Sequence, residues 1–283
     1  MRINHNIPSM VTQGALFKVN NNLNTSLERL STGLRINRAS DDAAGLGVSE
    51  NLRTQVRGTG QAIRNAQDGI AAITIAEGAA NEVSALLQRM RELAIQSSND
   101  TLTSTERAYT DAEFQHLDQE IDRIAAVTNY NDMDLLSTDA NRFGYATGAD
   151  DGSVLWVDAN NVVGTDSITI SIDTLTSTSL SVDNLTLTQQ TSSVNAVSTL
   201  DQAISSVNSM RADMGAYVNR LEHAINNLTV SNTNQQAAES LIRDVDFAAE
   251  TTQFTRNQIL NQSGMAMLSQ ANIVPQSVLQ LLG

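Results

Sequence analysis

Apolar residues recur at helical spacing through both halves of the chain and give way to alternation only in the middle. Leu16, Leu23, Leu27, Leu30 and Leu34 follow one another at steps of three, four and seven, which predicts one face of a helix. After Asp41 and Asp42, which suit N-terminal capping, a longer seam runs through Leu52, Val56, Thr59, Ile63, Ala66, Ile70 and Ile73. It continues through Ala80, Val83, Leu87, Met90 and Ala94. That span of about 43 residues would make a rod of roughly 65 Å at 1.5 Å per residue. A compact globule of this chain length would be narrower, so an elongated molecule is expected. Polar residues at Ser97–Asp100 predict a break. Thr103-Ser104-Thr105-Glu106 then reads as a capping box, opening a helix with Phe114, Leu117, Ile121, Ile124 and Thr128 on one side.

Near Asn129 the period changes. Val154–Val157 and the alternating Ser167–Ile172 predict strands, and Leu180–Val182 with Leu185–Leu187 a further strand or hairpin, separated by Gly-, Asn- and Asp-rich turns. Helix resumes near Ser193, where Val197, Leu200, Ile204, Val207, Arg211, Met214, Val218, Leu221, Ile225 and Leu228 form a second long seam. The two seams are expected to pair as coiled-coil partners do. A polar stretch at Ser231–Gln236 predicts an interruption. A final helix is expected from about Ala237 or Glu250 towards Leu282, kinked or weakened by Pro275. The expected fold is mainly α, with long coiled-coil helices from both chain ends and a small β-hairpin region between them.

Composition sharpens this picture. Aromatics are only 4% of 283 residues, so the core must rest on aliphatic contacts. Two prolines leave room for very long helices, and the absence of cysteine excludes disulfides, thiolate nucleophiles and Cys-based zinc sites. The formal charge of −14 argues against nucleic acid as a partner. No run reaches the length of a membrane span, and the N-terminus lacks the apolar segment of a cleavable secretion signal. Charge is unevenly spread: residues 100–183 hold 16 acids and three bases, whereas residues 3–27 carry only Lys18 and residues 257–283 no charge at all. Neutral, periodic ends rich in Asn, Gln and Ser suit burial against several neighbours, since a solvated helix normally shows charges on its outer face.

Candidate chemistry is sparse. His5, His116 and His223 fall in three different segments without ligand spacing. Gly45-Leu46-Gly47 and Gly58-Thr59-Gly60 follow no predicted strand and lack the third glycine of a phosphate loop, so helix packing explains them better. Asp150-Asp151-Gly152 reads as a hairpin turn, because a calcium cage needs about six oxygens. Met265 and Met267 read as fillers of packing gaps. With no nucleophile–base pair and no cofactor motif, an enzyme has no positive support.

The ends also carry specific motifs. Arg2-Ile3-Asn4-His5-Asn6, Leu30–Asn37 with Ala39–Leu46, Leu87–Gln96, Ile242–Asp246 and Gln270–Leu279 resemble bacterial flagellin over about 1–135 and 193–283. The chain resembles a short form lacking the large variable outer domains. The resemblance implies a structural subunit that polymerises into the flagellar filament and is exported unfolded by the flagellar type III apparatus. It implies an N-terminal inner-tube helix and spoke (1–45), rod helices (46–136), a β-hairpin region (137–192), a C-terminal rod helix (193–236) and a C-terminal spoke and inner-tube helix (237–283). Leu16, Leu23, Leu27, Leu30, Ile259, Leu260, Leu268, Ile273, Val278 and Leu281 are the expected polymerisation seam. Implied partners are further copies of the chain, an export chaperone, the filament cap and hook-junction proteins. By the same resemblance Gln88, Arg89, Leu93 and Glu113 would form a patch for Toll-like receptor 5, with His116 standing where many recognised relatives carry arginine. The alternatives are a hook–filament junction protein and a non-flagellar coiled-coil scaffold, which sedimentation after seeding separates from a filament subunit.

Overall fold

A computed structural model describes residues 5–138, 142–144, 152–160, 162 and 165–282, with side chains followed as far as Ile273. Its elements run α1 (Ile7–Thr32), α2 (Ala43–Ser97), α3 (Ser104–Val127), β1 (Asn129–Tyr130), β2 (Met133–Asp134), β3 (Ser153–Trp156), β4 (Ser167–Ile170), α4 (Gln190–Arg243) and α5 (Phe247–Leu282). Two compact units result: unit 1 combines Met1–Gln55 with Thr233–Gly283, and unit 2 is Val56–Asn232.

Unit 2 holds nearly all of the core. The predicted seam of α2 is buried at Thr59, Ala66, Ile73, Ala80, Val83, Leu87, Met90 and Ala94, whereas Leu52, Val56, Ile63 and Ile70 are half-buried. Against it lie Leu200, Val207, Met214 and Leu221 of α4 and Phe114 and Ile121 of α3. Polar contacts fix the register of α2 and α4. Arg91 Nε donates to Asp201 at 2.5 Å, Arg211 pairs with Glu77 at 3.0 Å, and the Asn232 amide donates to the Val56 carbonyl and the Thr59 hydroxyl. As the α4 number rises the α2 number falls almost one for one, so the two seams pair antiparallel. One stretch of α2 is long and apolar enough to cross a membrane by length and composition alone. Those apolar positions include the ones that α2 turns into this core.

The expected capping box is present: the Thr103 hydroxyl accepts from the Glu106 amide, and the Glu106 carboxylate accepts from the Thr103 amide at 2.7 Å. Arg107 closes the preceding helix, donating to the Ser97 carbonyl at its C-terminus and to the Asn99 carbonyl just beyond it. Strands β3 and β4 pair antiparallel, Ser153 opposite Ile170 and Trp156 opposite Ser167. Gly152 enters that hairpin at φ +139°, where a Cβ would stand 2.4 Å from the Ile170 carbonyl oxygen. Asp150 and Asp151, read from sequence as part of this turn, lie outside the described residues. Gly58 packs under Ala159, and both glycine pairs read in the sequence lie within α2.

Two expectations need correction. Leu180–Val182 and Leu185–Leu187 form turns and irregular chain. Most amides there close local turns: those of Leu180, Ser181 and Val182 donate to the Thr176, Thr178 and Ser177 carbonyls, and that of Leu185 to the Val182 carbonyl. Helix α3 takes the Leu187 amide at Asp111 and the preceding Ser177 amide and hydroxyl at Asp122. The Ser231–Gln236 stretch is helical within an unbroken α4, so no helix ends at 236. The Asn232 bonds to α2 override the weak helix propensity of these residues. Helix α5 reaches Leu282 with Pro275 inside it, the extent expected from the sequence. A small hairpin, β1–β2, escaped the sequence reading; its Asn131 and Asp132 sit at φ +51° and +60°, a two-residue turn of the type that hairpin twist favours.

One acid in unit 2 is strained by its surroundings. Burial pushes the Asp118 carboxyl up to about 6, assisted by the neighbouring charges of Asp122 and Asp183, and its Oδ1 has no donor. The folded state therefore holds a proton that the unfolded chain releases near 3.8. Stability from this group is full below about pH 4 and is lost as pH rises through 6. The rise corresponds to at most about 3 kcal/mol, which partial solvent access reduces to about 1 kcal/mol. Asp118→Asn should raise the Tm of unit 2 by roughly 2–4 °C at pH 7 and leave it unchanged at pH 4. Thermal unfolding followed by circular dichroism at both values checks this.

Candidate assembly surfaces

Unit 1 is built from α1 and α5, the ends of the sequence, with the start of α2 and the end of α4. Asn6 caps α1 by accepting from the Ser9 amide, and Gly33 ends it at φ +73°, a left-handed cap that glycine adopts without strain. Beyond that cap the chain is clasped to the junction between α4 and α5. Leu34 bridges Asp244, the Arg35 amide donates to the Arg243 carbonyl at 2.7 Å, and the Val245 amide donates to the Gly33 carbonyl at 3.0 Å. The Arg35 guanidinium adds a bond to the Ile242 carbonyl, satisfying the frayed end of α4. Asp246 then caps α5 through the amides of Ala248 and Ala249, and Asp42 caps α2 through that of Gly45. Arg243 pairs with Glu50 at 2.7 Å and holds its carboxyl below the usual range.

Helices α1 and α5 pack antiparallel, and largely through polar groups. Asn6 donates to the Ala271 carbonyl, Asn261 donates to Asn20, and Arg29 pairs with Glu250 at 3.6 Å. Leu16 rests on Gly264, where a Cβ would come within 2.7 Å of it. Among the described residues of unit 1 the fully buried ones are Ser26, Ser49, Asn257 and a single aliphatic, Ile36. Large apolar side chains point outward instead: Phe17 is 67% exposed, Val11 68% and Leu241 84%. This inverts the usual distribution, in which buried polar groups are the exception.

The expected seam divides accordingly. Leu16, Leu23, Leu30 and Leu268 are half-buried, whereas Leu27, Ile259, Leu260 and Ile273 are exposed. The side chains of Val278 and Leu281 lie outside the described residues. Ile259 and Leu260 line an open groove along α5 with Thr251, Thr252, Thr255 and Arg256. Met10, Val11, Phe17, Val48, Leu241 and Phe247 extend the apolar surface and were missed, because a search for one periodic face passes over residues on a second.

The four residues of the expected receptor patch separate. Gln88 is exposed, and Arg89 donates through Nε and an Nη to Glu113 Oε1 at 3.0 and 2.7 Å and through its other Nη to Glu92. Leu93 is buried in the core of unit 2, so it offers no apolar anchor beside Arg89. His5, before α1, His116 in α3 and His223 in α4 are each exposed. Among the described residues, no three His, Asp or Glu side chains gather as a metal site would require.

Charge follows the same division. Unit 1 contains eight basic and eight acidic residues, which leaves the whole net −14 on unit 2.

The family of bacterial flagellin N-terminal helical regions matches residues 3–141, and that of bacterial flagellin C-terminal helical regions matches residues 197–282. Over the full length of both chains, the sequence is 46% identical to the flagellin of Halalkalibacterium halodurans. It is 44% identical to the flagellar filament 33 kDa core protein of Treponema phagedenis and 42% identical to the flagellin of Bacillus subtilis, again with both chains fully covered. The crystal structure of Bacillus cereus flagellin aligns with 62% of the chain and 94% of its own length, at 31% identity and a TM-score of 0.47.

Proposed function

The chain belongs to the bacterial flagellin family, and from that premise we infer that unit 1 is the part through which its copies join. A flagellin is a structural subunit of the bacterial flagellar filament, so the outward apolar residues of α1 and α5 have a natural destination in neighbouring copies. The observation that carries this reading is the inverted burial of unit 1, with polar side chains inside and Phe17, Leu27, Ile259 and Leu260 outside. Residues 1–45 and 237–283 would supply the inner tube and spokes, and 46–136, 137–192 and 193–236 the rod around it. The same reading makes the subunit non-catalytic and includes unfolded export by the flagellar type III apparatus, with an export chaperone, the filament cap and hook-junction proteins as partners. Seeding purified monomer and recording electron micrographs tests it. Long filaments are expected, and a species that stays small on sedimentation would favour the scaffold alternative.

Charge on unit 2 gives a second expectation. Filaments displaying net −14 per copy repel laterally, and salt screens that repulsion over about 8 Å at 0.15 M. Bundling measured by light scattering should rise with ionic strength. Bundling indifferent to salt would place the acids inside the assembly.

Recognition by Toll-like receptor 5 would rest on Gln88 and the Arg89–Glu113 pair, with Leu93 acting only from beneath. The two-point bond pre-orients both side chains, which lowers the entropy lost on docking. Arg89→Ala should weaken receptor signalling by monomer about tenfold, the scale of one charge-assisted contact. Equal signalling from both proteins, with matched circular dichroism, would leave this surface to assembly alone.

A further inference from the structure

The methionines divide between the units in a way that assembly alone does not require. In unit 2, Met90, Met210 and Met214 are buried and Met133 is packed against the core, the usual place for a flexible thioether that fills gaps. In unit 1 the three described methionines are all open: Met10 is 61% exposed, Met265 54% and Met267 62%. They also lie on one stretch of the helix pair, Met265 and Met267 on different sides of α5. Asn6 bonds the Ala271 carbonyl. Met10 stands one turn beyond Asn6 and Met267 one turn before Ala271, so antiparallel packing sets both at the same level. Met265 adjoins Gly264, the residue on which Leu16 rests.

We propose that Met10, Met265 and Met267 form an oxidation-sensitive site through which peroxide blocks assembly of the free subunit. The proposal rests on the reading that unit 1 is covered by other copies in the filament. A thioether sulfur attacks one peroxide oxygen, the O–O bond breaks, the sulfur becomes a sulfoxide, and the peroxide leaves reduced to water. An apolar, pliable side chain becomes a polar one that resists burial. Three such changes within about two turns of the helix pair fall on exposed parts of unit 1, the surface that must dehydrate. Unit 2 keeps its methionines shielded, so its fold survives the same exposure. Burial in the polymer would shield the three sulfurs as well, which confines the sensitivity to monomer. Methionine sulfoxide reductases reverse the change.

The test treats full-length monomer with dilute hydrogen peroxide, maps sulfoxides by mass spectrometry and measures seeded assembly by sedimentation. Met10, Met265 and Met267 should oxidise first while Met90, Met210 and Met214 are spared. The concentration needed for assembly should rise by roughly a hundredfold, the scale of losing one or two buried apolar side chains. The variant Met10→Leu/Met265→Leu/Met267→Leu nearly conserves volume and should assemble equally before and after peroxide. Reductase treatment of oxidised wild type should restore filaments. Unchanged assembly of the oxidised protein, equal loss in the triple variant, or a block that outlasts removal of the sulfoxides would each overturn the proposal. Failure of untreated wild type to assemble would instead remove the filament reading, and is told apart because it needs no oxidant.

Discussion

A chain ending at Arg256, without Asn257–Gly283, should keep a folded unit 2 and form no filaments. The deletion removes Ile259, Leu260, Leu268 and Ile273 together with the bonds of Asn261 to Asn20 and of Ala271 to Asn6. A large aliphatic contributes about 1.5–3 kcal/mol when fully buried. Four of them, already partly covered in the single chain, still leave several kcal/mol per subunit to be lost from the polymer. Helix α1 also loses its partner, and a lone helix of this length is marginal in water. None of the deleted residues belongs to the core of unit 2. Circular dichroism should show an unchanged unfolding temperature for unit 2, while sedimentation after seeding finds no polymer. Normal assembly by the shortened chain would mean that the neutral C-terminus is dispensable and that the apolar surface of unit 1 has another purpose.

The second large effect is in the core. Phe114 of α3 is fully buried among aliphatic side chains of a chain that has few aromatics. Phe114→Ala should cost unit 2 about 3–5 kcal/mol, from lost apolar burial and the cavity left behind. For a unit of this size the Tm should fall by roughly 6–20 °C. Phe17→Ala is the informative contrast, because Phe17 is mostly exposed in unit 1. It should leave the Tm of unit 2 unchanged and weaken assembly. Equal thermal effects from both substitutions would contradict the separation of a self-sufficient core from a surface that needs partners.

Much of this was legible from local pattern. The α2 seam, the Thr103–Glu106 box and the α3 face needed only spacing and capping chemistry, because each records contacts within a few turns of helix. The uncharged ends marked the unusual burial of unit 1, since a polar residue without charge is what a helix shows when its outer face is also covered. Helix ends decided by distant partners were not legible. The break after Arg243 depends on Arg35 and Gly33 reaching across to Arg243 and Val245. Likewise Asn232 keeps Ser231–Gln236 helical through bonds to Val56 and Thr59. The chain at 177–187 forms no strand because its amides close local turns or, at Ser177 and Leu187, bond Asp122 and Asp111 of α3. Leu93 shows the same limit on a smaller scale: the resemblance put it in an exposed patch, and packing puts it inside.

The segregation of charge has a consequence for how growth stops. A chain with one electrically neutral, apolar-faced unit and one unit holding all of the net −14 is a macromolecular amphiphile. Like a surfactant, it should associate only above a threshold concentration, where the gain from covering its neutral part exceeds the repulsion among its charged parts. As copies are consumed, growth should stop once the free concentration has fallen to that threshold.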